Sequence, residues 1–192
     1  MQRIPIILGS TRDDRRGHLV ADWLLTHVQQ HPAITTEVID LRDWPLPFFN
    51  ESPARGGYSD PIVGRWIERI GAADGYIIIS PEYNHSFSGV LKNALDTGLR
   101  AWRDKPVGFV AYGGETTGGA RAVEQLKLVA VELGMAPIRH DIVLPSIGRQ
   151  FDEAGDLRDK AIEAKVPPFL DLLVAWSGAL QTLHEDKLTK IS

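Results

Sequence analysis

Residues 3–18 read Arg3-Ile-Pro-Ile-Ile-Leu-Gly-Ser-Thr-Arg-Asp-Asp-Arg-Arg-Gly-His18, and this stretch decides the fold. Its apolar run over 4–8 has the length and composition of a strand that is buried on both faces. After Gly9 the chain changes to hydroxyl groups and cations, and a helical apolar pattern then covers 17–30 and stops before Pro32. The stretch therefore predicts a buried strand that leads through a polar loop into the N-terminus of a helix.

This first loop carries groups that bind anions. The N-terminus of a helix offers free N–H groups and the positive end of the helix dipole. Ser10 and Thr11 add hydroxyl donors, and Arg12, Arg15 and Arg16 add positive charge that opposes the dipole unless an anion lies among them. The alternative is that glycine and serine serve only turn formation and capping, since Gly-Ser-Thr-Arg alone is a weak motif. We interpret the loop as a phosphate site.

The composition bounds the possible classes of protein. With 192 residues, 43% of them hydrophobic, the chain is expected to form a single domain over 1–192 with a substantial core. A net charge of −4 does not suggest nucleic-acid binding, and the absence of cysteine excludes disulfides, thiolate metal sites and cysteine nucleophiles. No apolar segment reaches the roughly 18 residues of a membrane span. No signal-like pattern is present, so we expect a cytoplasmic location.

A pair of histidines, His27 and His31, is spaced like metal ligands on a helix. The pair lacks an obvious third ligand, and Pro32 ends the helix there. A solvated helix end is the simpler interpretation, and we expect no metal.

Strand and helix patterns alternate five times along the chain. The predicted strands cover 4–8, 36–41, 76–79, 107–112 and 136–144, and the predicted helices cover 17–30, 61–71, 90–102, 122–133 and 168–185. A long loop rich in proline and aromatic residues covers 42–58. Uniformly apolar strands that alternate with helices indicate a parallel sheet between two helix layers. We predict an α/β fold, a flavodoxin-like three-layer sandwich with a five-stranded parallel sheet in the order 2-1-3-4-5.

In such a sheet, ligands bind beyond the carboxyl ends of the strands. This rule brings the first loop together with the loops that follow the third and fourth predicted strands. The loop over 80–89 contains Pro81 and several polar residues, whose N–H groups suit the edge of a flat heterocycle. Tyr83 and His85 are candidates to cover a ring face or to gate access. The alternative is a helix-capping loop with Ser86 or Ser88 as N-cap, and Glu82 alone is more simply a solvated carboxylate.

The loop over 112–121 contains four glycines, which let the backbone approach a ligand closely. The alternative is a flexible turn, which glycine content alone does not exclude. Arg121 falls in the first turn of the next helix, where it would either neutralise an acidic group or bind an anionic substrate.

Three motifs in these loops resemble the NADPH-dependent FMN reductase family, which includes bacterial quinone, azo-dye and chromate reductases. They are Gly9-Ser-Thr-Arg12, Pro81-Glu-Tyr-Asn84 followed by Gly89-Val-Leu-Lys-Asn-Ala-Leu-Asp96, and Tyr112-Gly-Gly114 with Gly119-Ala-Arg121. They occur in the family's order, and the resemblance covers roughly residues 4–144.

The resemblance implies FMN and NADPH as cofactors and names the residues that would bind them. The FMN-binding set is Ser10, Thr11, Arg12, Arg16, Gly17, His18, Pro81, Glu82, Tyr83, Asn84, Tyr112, Gly113 and Gly114, and the substrate-binding set is Arg121 and His85. The first loop would hold the phosphate, 81–84 would line the edge of the isoalloxazine ring, and 112–114 would flank the ring. Which of Arg15, Arg16 and His18 contacts the phosphate stays open, because many relatives have a serine later in this loop.

The implied function is an oxidoreductase that passes a hydride from NADPH through flavin N5 to a quinone, flavin, azo compound or similar acceptor. No catalytic side chain is assigned, and the family implies a homodimer or homotetramer. The alternatives are a flavodoxin-type electron carrier and an FMN-binding interaction protein without NADPH turnover. A dinucleotide-binding enzyme is disfavoured because no Gly-x-Gly-x-x-Gly follows the first strand and Asp40 comes late for the ribose-binding acid.

Overall fold

The computed structural model describes residues 1–51, 58–114 and 116–189. Within these residues eight short strands pair in parallel throughout. They are β1 (Gln2–Arg3), β2 (Ile6–Leu8), β3 (Ile34–Thr35), β4 (Val38–Asp40), β5 (Tyr76–Pro81), β6 (Pro106–Tyr112), β7 (Ala136–Pro137) and β8 (Ile142–Leu144). The main sheet has the order β4-β2-β5-β6, with β7 and β8 both beside β6, and β1 pairs with β3.

The parallel α/β class is as predicted, but the count of five strands is wrong. The short strands β1 and β3 precede the predicted first and second strands, and the predicted strand over 136–144 is divided into β7 and β8. Pro5 lies between β1 and β2 and has no N–H to donate. The backbone hydrogen bonds continue on either side of it, from Ile4 N to the oxygen of Thr35 (2.9 Å) and from Ile6 N to the oxygen of Glu37 (2.8 Å). Pro137, the last residue of β7, likewise has no N–H to donate. When the pieces are joined, the strands follow the predicted order 2-1-3-4-5.

Six helices lie within the described residues: α1 (Gly17–Gln30), α2 (Pro61–Gly71), α3 (Gly89–Gly98), α4 (Ala120–Glu132), α5 (Lys160–Glu163) and α6 (Val166–Thr189). The bounds of α1 and α2 are as predicted, and Asp60 caps α2 by accepting a hydrogen bond from Ile62 N at 2.9 Å. The third predicted helix is shorter, because α3 gives way to a 3₁₀ turn over Leu99–Trp102. The short helix α5 was not predicted. Positions 52–57 of the predicted long loop lie outside the described residues.

Hydrophobic cores fill both faces of the sheet. Successive strand residues point to opposite faces, so Ile6 and Leu8 pack with α1 and α6, while Ile7 packs with α2, α3 and α4. Buried anchors of the two cores are Phe169 on the first face and Trp66 on the second. Because β2, β5 and β6 are parallel neighbours, their carboxyl ends lie together at one edge of the sheet. None of the described helices is long and apolar enough to cross a membrane.

Candidate active site

The loops that follow β2, β5 and β6 line one cavity of about 280 Å³. Its walls are formed by Arg12, Asp14, Arg15, Arg16, Pro81, Glu82, Tyr83, Tyr112, Gly113, Gly114 and Ile147. Eight of the residues in the predicted FMN-binding set are in this wall: Arg12, Arg16, Pro81, Glu82, Tyr83, Tyr112, Gly113 and Gly114.

The other members of that set lie beside the cavity or away from its wall. Ser10 is buried, and its Oγ is 2.7 Å from the hydroxyl oxygen of Tyr83. Gly17 lies where α1 begins, and Thr11 lines a separate hollow with Trp44. His18 and Asn84 do not line the cavity in the described part of the chain.

Sequence reasoning missed Asp14 and Ile147. Asp14 could have been found from the sequence, because it lies between Arg12 and Arg15 in the predicted phosphate loop. Ile147 comes from the segment after β8, which has no motif.

Arg15 and Asp40 form a buried pair that shapes the first loop. The Arg15 side chain is only 7% exposed, and its Nη1 donates to Asp40 Oδ1 at 2.7 Å and to the Ser10 carbonyl at 2.5 Å. Arg15 Nη2 also bonds to Asp40 Oδ2. Burial opposes ionisation of Asp40, but the hydrogen bonds from Arg15 and from Arg42 N, with both guanidinium charges, outweigh it and lower its pKa. Asp40 is therefore a strand-end residue that holds Arg15, and Arg15 holds the loop.

Arg12 is far more accessible than Arg15. It forms an ion pair with Asp14, with 2.7 Å between Nη2 and Oδ2, in which the two side chains are 57% and 75% exposed. Its guanidinium carbon also lies 5.5 Å from the centre of the Tyr83 ring. Exposed ion pairs contribute only about 0–1 kcal/mol, so a phosphate dianion can replace Asp14 as the partner of Arg12.

The start of α1 adjoins this arginine-rich end of the cavity. Arg16 occupies the N-cap position, no acidic residue lies in the first turn, and no described side chain caps the helix. A Cβ on Gly17 would lie 2.7 Å from both Leu8 Cδ1 and the Tyr112 hydroxyl, so only glycine fits this close packing. The positive end of the helix dipole and two arginines therefore lie together.

The loop after β5 makes a tight turn. Tyr83 and Ser86 exchange backbone hydrogen bonds of 2.8 and 3.0 Å, and the two residues between them, Asn84 and His85, have φ values of 49° and 71°. Residues other than glycine rarely adopt such positive φ values, and they do so where surrounding contacts stabilise that backbone conformation. Here Gln125 of α4 donates to the His85 carbonyl at 2.8 Å. The capping alternative also holds in part, because Ser88 Oγ accepts from Leu91 N at 3.2 Å.

The side chain of Glu82 is largely covered and ion-paired, so the expectation of a solvated carboxylate is wrong. Its side chain is 10% exposed, and its Oε1 lies 2.8 Å from Arg121 Nε. Its Oε2 is buried without a hydrogen-bond partner among the described residues. Arg121 also lies 3.0 Å from His85 Nδ1 and donates to Thr117 Oγ1 at 3.0 Å. Arg121 is therefore paired with an acidic side chain, as the first of its two predicted roles requires.

The glycines after β6 form the opposite wall. Gly113 is fixed on both sides, because its N–H donates to the Leu144 carbonyl at 3.2 Å and its carbonyl accepts from Ile147 N at 3.0 Å. A Cβ on Gly114 would meet no described atom within 4 Å. Gly118 and Gly119, with φ of 62° and 93°, then lead into α4. Glu115 of this loop lies outside the described residues.

His27 of α1 and His31, the residue that follows α1, contact the C-terminal helices. His31 Nε2 lies 3.1 Å from Asp171 Oδ1 on α6, and His27 Nε2 lies 3.6 Å from Glu163 Oε1 on α5. Among the described residues no group of three or more side chains is placed to hold a metal ion.

The donor set fits a flavin mononucleotide. One end combines a helix N-terminus with Arg12 and Arg16, which suits a phosphate. The other end is lined by Gly113 and Gly114, where the backbone can approach a flat ring. The buried hydroxyl of Tyr112 has no hydrogen-bond partner among the described residues, as expected of a group that awaits a ligand.

Comparison with known proteins identifies the family of this chain. The profile of the family described as NADPH-dependent FMN reductase matches residues 2–148. An NAD(P)H-dependent FMN reductase of Schizosaccharomyces pombe is 32% identical over 175 residues, which cover 88% of this chain and 80% of that protein. An NADPH:quinone oxidoreductase of Arabidopsis thaliana is 33% identical over 187 residues, 93% of each chain.

A solved structure shows the same fold. The flavoenzyme FerB of Paracoccus denitrificans, an NAD(P)H:(acceptor) oxidoreductase, superposes with a TM-score of 0.74 at 23% identity, over 93% of this chain and 98% of that chain. The flavodoxin-like class predicted from the sequence is thereby confirmed. The family profile and the two sequence relatives also confirm the resemblance carried by the three motifs, and the chain belongs to the NADPH-dependent FMN reductase family, whose enzymes use FMN and NAD(P)H.

Proposed function

We propose that this protein is an NAD(P)H-dependent oxidoreductase that holds FMN in the cavity between the loops after β2, β5 and β6. It passes electrons from NADPH to a quinone, flavin, azo compound or similar small acceptor. The observation that carries the proposal is the meeting of Arg12 and Arg16 with Gly113 and Gly114 in the walls of one cavity. Membership of the FMN reductase family supports it.

In this proposal the phosphate lies at the start of α1. Arg12 and Arg16 supply charge, and the first N–H groups of the helix supply donors. Arg15 acts indirectly, since its guanidinium is bound to Asp40 and to the Ser10 carbonyl and keeps the loop in shape. His18 is left out of the phosphate site because it does not line the described cavity wall.

The ring lies between the second and third loops. Pro81, Glu82 and Tyr83 form one wall, and Gly113 and Gly114 form the other. Bound flavin supplies the redox chemistry, accepting two electrons from NAD(P)H and giving them to an acceptor. The side chains of this site bind and orient, and none is needed as a nucleophile.

We assign Arg121 and His85 to the edge at which NADPH and the acceptor approach. Arg121 joins Glu82, His85 and Thr117, so it fastens the strained turn after β5 to α4. The Arg121 side chain is 33% exposed, which leaves part of its guanidinium open to an anionic substrate.

The proposal also includes a single FMN-binding domain over 1–192, a cytoplasmic location and assembly into a homodimer or homotetramer. Phe48 and Phe49, in the loop after β4, are 86% and 44% exposed and offer apolar surface for a second copy. Light scattering during size-exclusion chromatography measures the assembly, and a monomer would overturn that part of the proposal.

The test of function is an anaerobic assay with the purified protein. We expect a yellow protein whose flavin absorbance is bleached by NADPH and restored by a small quinone. A parallel titration with NADH measures the preference between the two nucleotides. A flavin spectrum that neither nucleotide changes would instead favour an FMN-binding interaction protein.

A further inference from the structure

Tyr112, the last residue of β6, carries a buried hydroxyl that the fold itself does not use. The residue is 5% exposed and lines the cavity. Its hydroxyl makes no hydrogen bond with any of the described residues. Most buried polar groups in native proteins have a partner, and one without a partner calls for an explanation.

The hydroxyl lies at the phosphate end of the cavity. A Cβ built on Gly17, the first residue of α1, would be 2.7 Å from it. The side chain of Tyr112 therefore reaches from the end of β6 to the first turn of a 14-residue helix that no described side chain caps. Sequence resemblance places Tyr112 beside the flavin ring, whereas its hydroxyl lies at the loop that leads into α1.

The hydroxyl is a donor at neutral pH. Burial raises the pKa of Tyr112 well above its ordinary value, although the proximity of the Ser10 hydroxyl and the charges of Arg15 and Arg12 act in the opposite direction. The phenol O–H and the N–H groups at the start of the helix are all donors, so they cannot bond to each other through the phenol hydrogen. An anion placed there would accept from the phenol and from the helix at once.

We infer that the Tyr112 hydroxyl donates a hydrogen bond to the phosphate of FMN and so contributes to the selection of FMN over riboflavin. The inference rests on the proposed function, since it assigns a residue to the phosphate end of the same site. The competing explanation is a structural contact with Ser10, which lies close by and whose Oγ is already paired with the Tyr83 hydroxyl at 2.7 Å.

The test compares two ligands that differ only in the phosphate. The full chain and its Tyr112→Phe variant, both stripped of flavin, are titrated with FMN and with riboflavin. We expect the Kd for FMN to rise about tenfold or more, because hydrogen bonds to charged groups are strong. The Kd for riboflavin is expected to change less than about twofold, since the lost donor has no partner on that ligand.

Thermal unfolding of the flavin-free chains separates the two explanations. If the hydroxyl awaits a ligand, the Tyr112→Phe variant unfolds at the same temperature as the wild type or higher, because an unsatisfied buried group has been removed. A structural bond to Ser10 predicts a lower unfolding temperature and an equal loss of affinity for both flavins. Equal losses, or no loss for either flavin, would overturn the inference while leaving the proposed function intact.

A matched control is Tyr76→Phe. Tyr76 is also buried, but it lies at the opposite end of its strand, and its hydroxyl donates to the Ile70 carbonyl at 2.7 Å. This variant should leave the ratio of FMN to riboflavin affinity unchanged.

A crystal structure of the wild type with FMN tests the contact without any variant. The inference requires the Tyr112 hydroxyl within about 3 Å of a phosphate oxygen. A separation beyond hydrogen-bonding distance would overturn it. A wild type that binds no FMN would instead remove the proposed function.

Discussion

Replacement of Asp40 by alanine tests whether the buried pair with Arg15 holds the first loop. The variant removes both oxygens that accept from Arg15 and the acceptor of Arg42 N, which lies 3.0 Å from Oδ1. Removal of one partner of a fully buried pair costs about 3–5 kcal/mol, because the other charge stays buried. Asp40 is 23% exposed, and the Ser10 carbonyl still accepts from Arg15. We therefore expect the free energy of unfolding to fall by about 2–3 kcal/mol.

The matched control is Asp14→Ala in the same loop. It breaks the pair with Arg12, in which the side chains are 57% and 75% exposed. Such pairs contribute less than about 1 kcal/mol. Urea unfolding at neutral pH, followed by tryptophan fluorescence and circular dichroism, measures both variants. Equal losses in the two variants, or a loss below about 1 kcal/mol for Asp40→Ala, would show that the pair with Arg15 does not hold the loop.

The same pair has a defined pH dependence. The folded-state pKa of Asp40 lies below its ordinary value of 3.8, so folding favours the ionised carboxylate. The stabilisation is fully present above about pH 5 and is lost as the pH falls through the lowered folded-state pKa. The difference in stability between the wild type and Asp40→Ala should therefore shrink in acid, and a difference that stays constant to low pH would contradict this.

Three further predictions follow from the site and the core. Arg12→Ala should weaken FMN binding by about 1.5–3 kcal/mol in a titration, with riboflavin little affected, because a charge-assisted hydrogen bond is lost; unchanged FMN affinity would discard the phosphate assignment. In Gly114→Val the new side chain meets no described atom within 4 Å of its Cβ, so the fold should keep its thermal stability. Because Gly114 lines the cavity, the same side chain should obstruct the flavin ring and lower both flavin occupancy and NADPH turnover. Retained occupancy and turnover would show that the third loop does not line the ring. Burial lowers the pKa of Lys105 from 10.5 to about 8. Between about pH 8 and pH 10.5 the unfolded chain therefore binds more protons than the folded chain, so the free energy of unfolding should rise with pH over that range. Lys105→Met should remove this rise, and an identical pH dependence in the variant would exclude Lys105 as its source.

The fold was predictable because its signals are local and repeated. The central strands are mostly apolar and buried along their whole length. Asp60 followed by Pro61 marks the start of α2, because aspartate favours the N-cap position and proline the first helical position. The interruptions were not predicted, because Pro5 breaks the ladder at one position while the apolar pattern continues across it. The helix α5 consists of four residues, which is too short for a periodic pattern to show.

The sequence predicted which loops line the candidate site, but not the contacts that each residue makes there. The rule that ligands bind at the carboxyl ends of parallel strands identified the three loops before any contact was known. The sequence leaves open which of Arg15, Arg16 and His18 contacts the phosphate, and the contact of Arg15 with Asp40, 25 positions away, distinguishes Arg15 from the other two. The burial of Glu82 likewise depends on Arg121, which belongs to a different element. Roles that depend on such long-range pairs are not visible in a single sequence.

The central claim is that one FMN lies in the cavity where the loops after β2, β5 and β6 meet. Calorimetric titration of the flavin-free full chain with FMN tests it most directly. We expect saturable binding of one FMN per chain, with a higher affinity than for riboflavin. A protein that is colourless as purified and shows no heat or spectral change on addition of FMN would exclude an FMN site in this cavity.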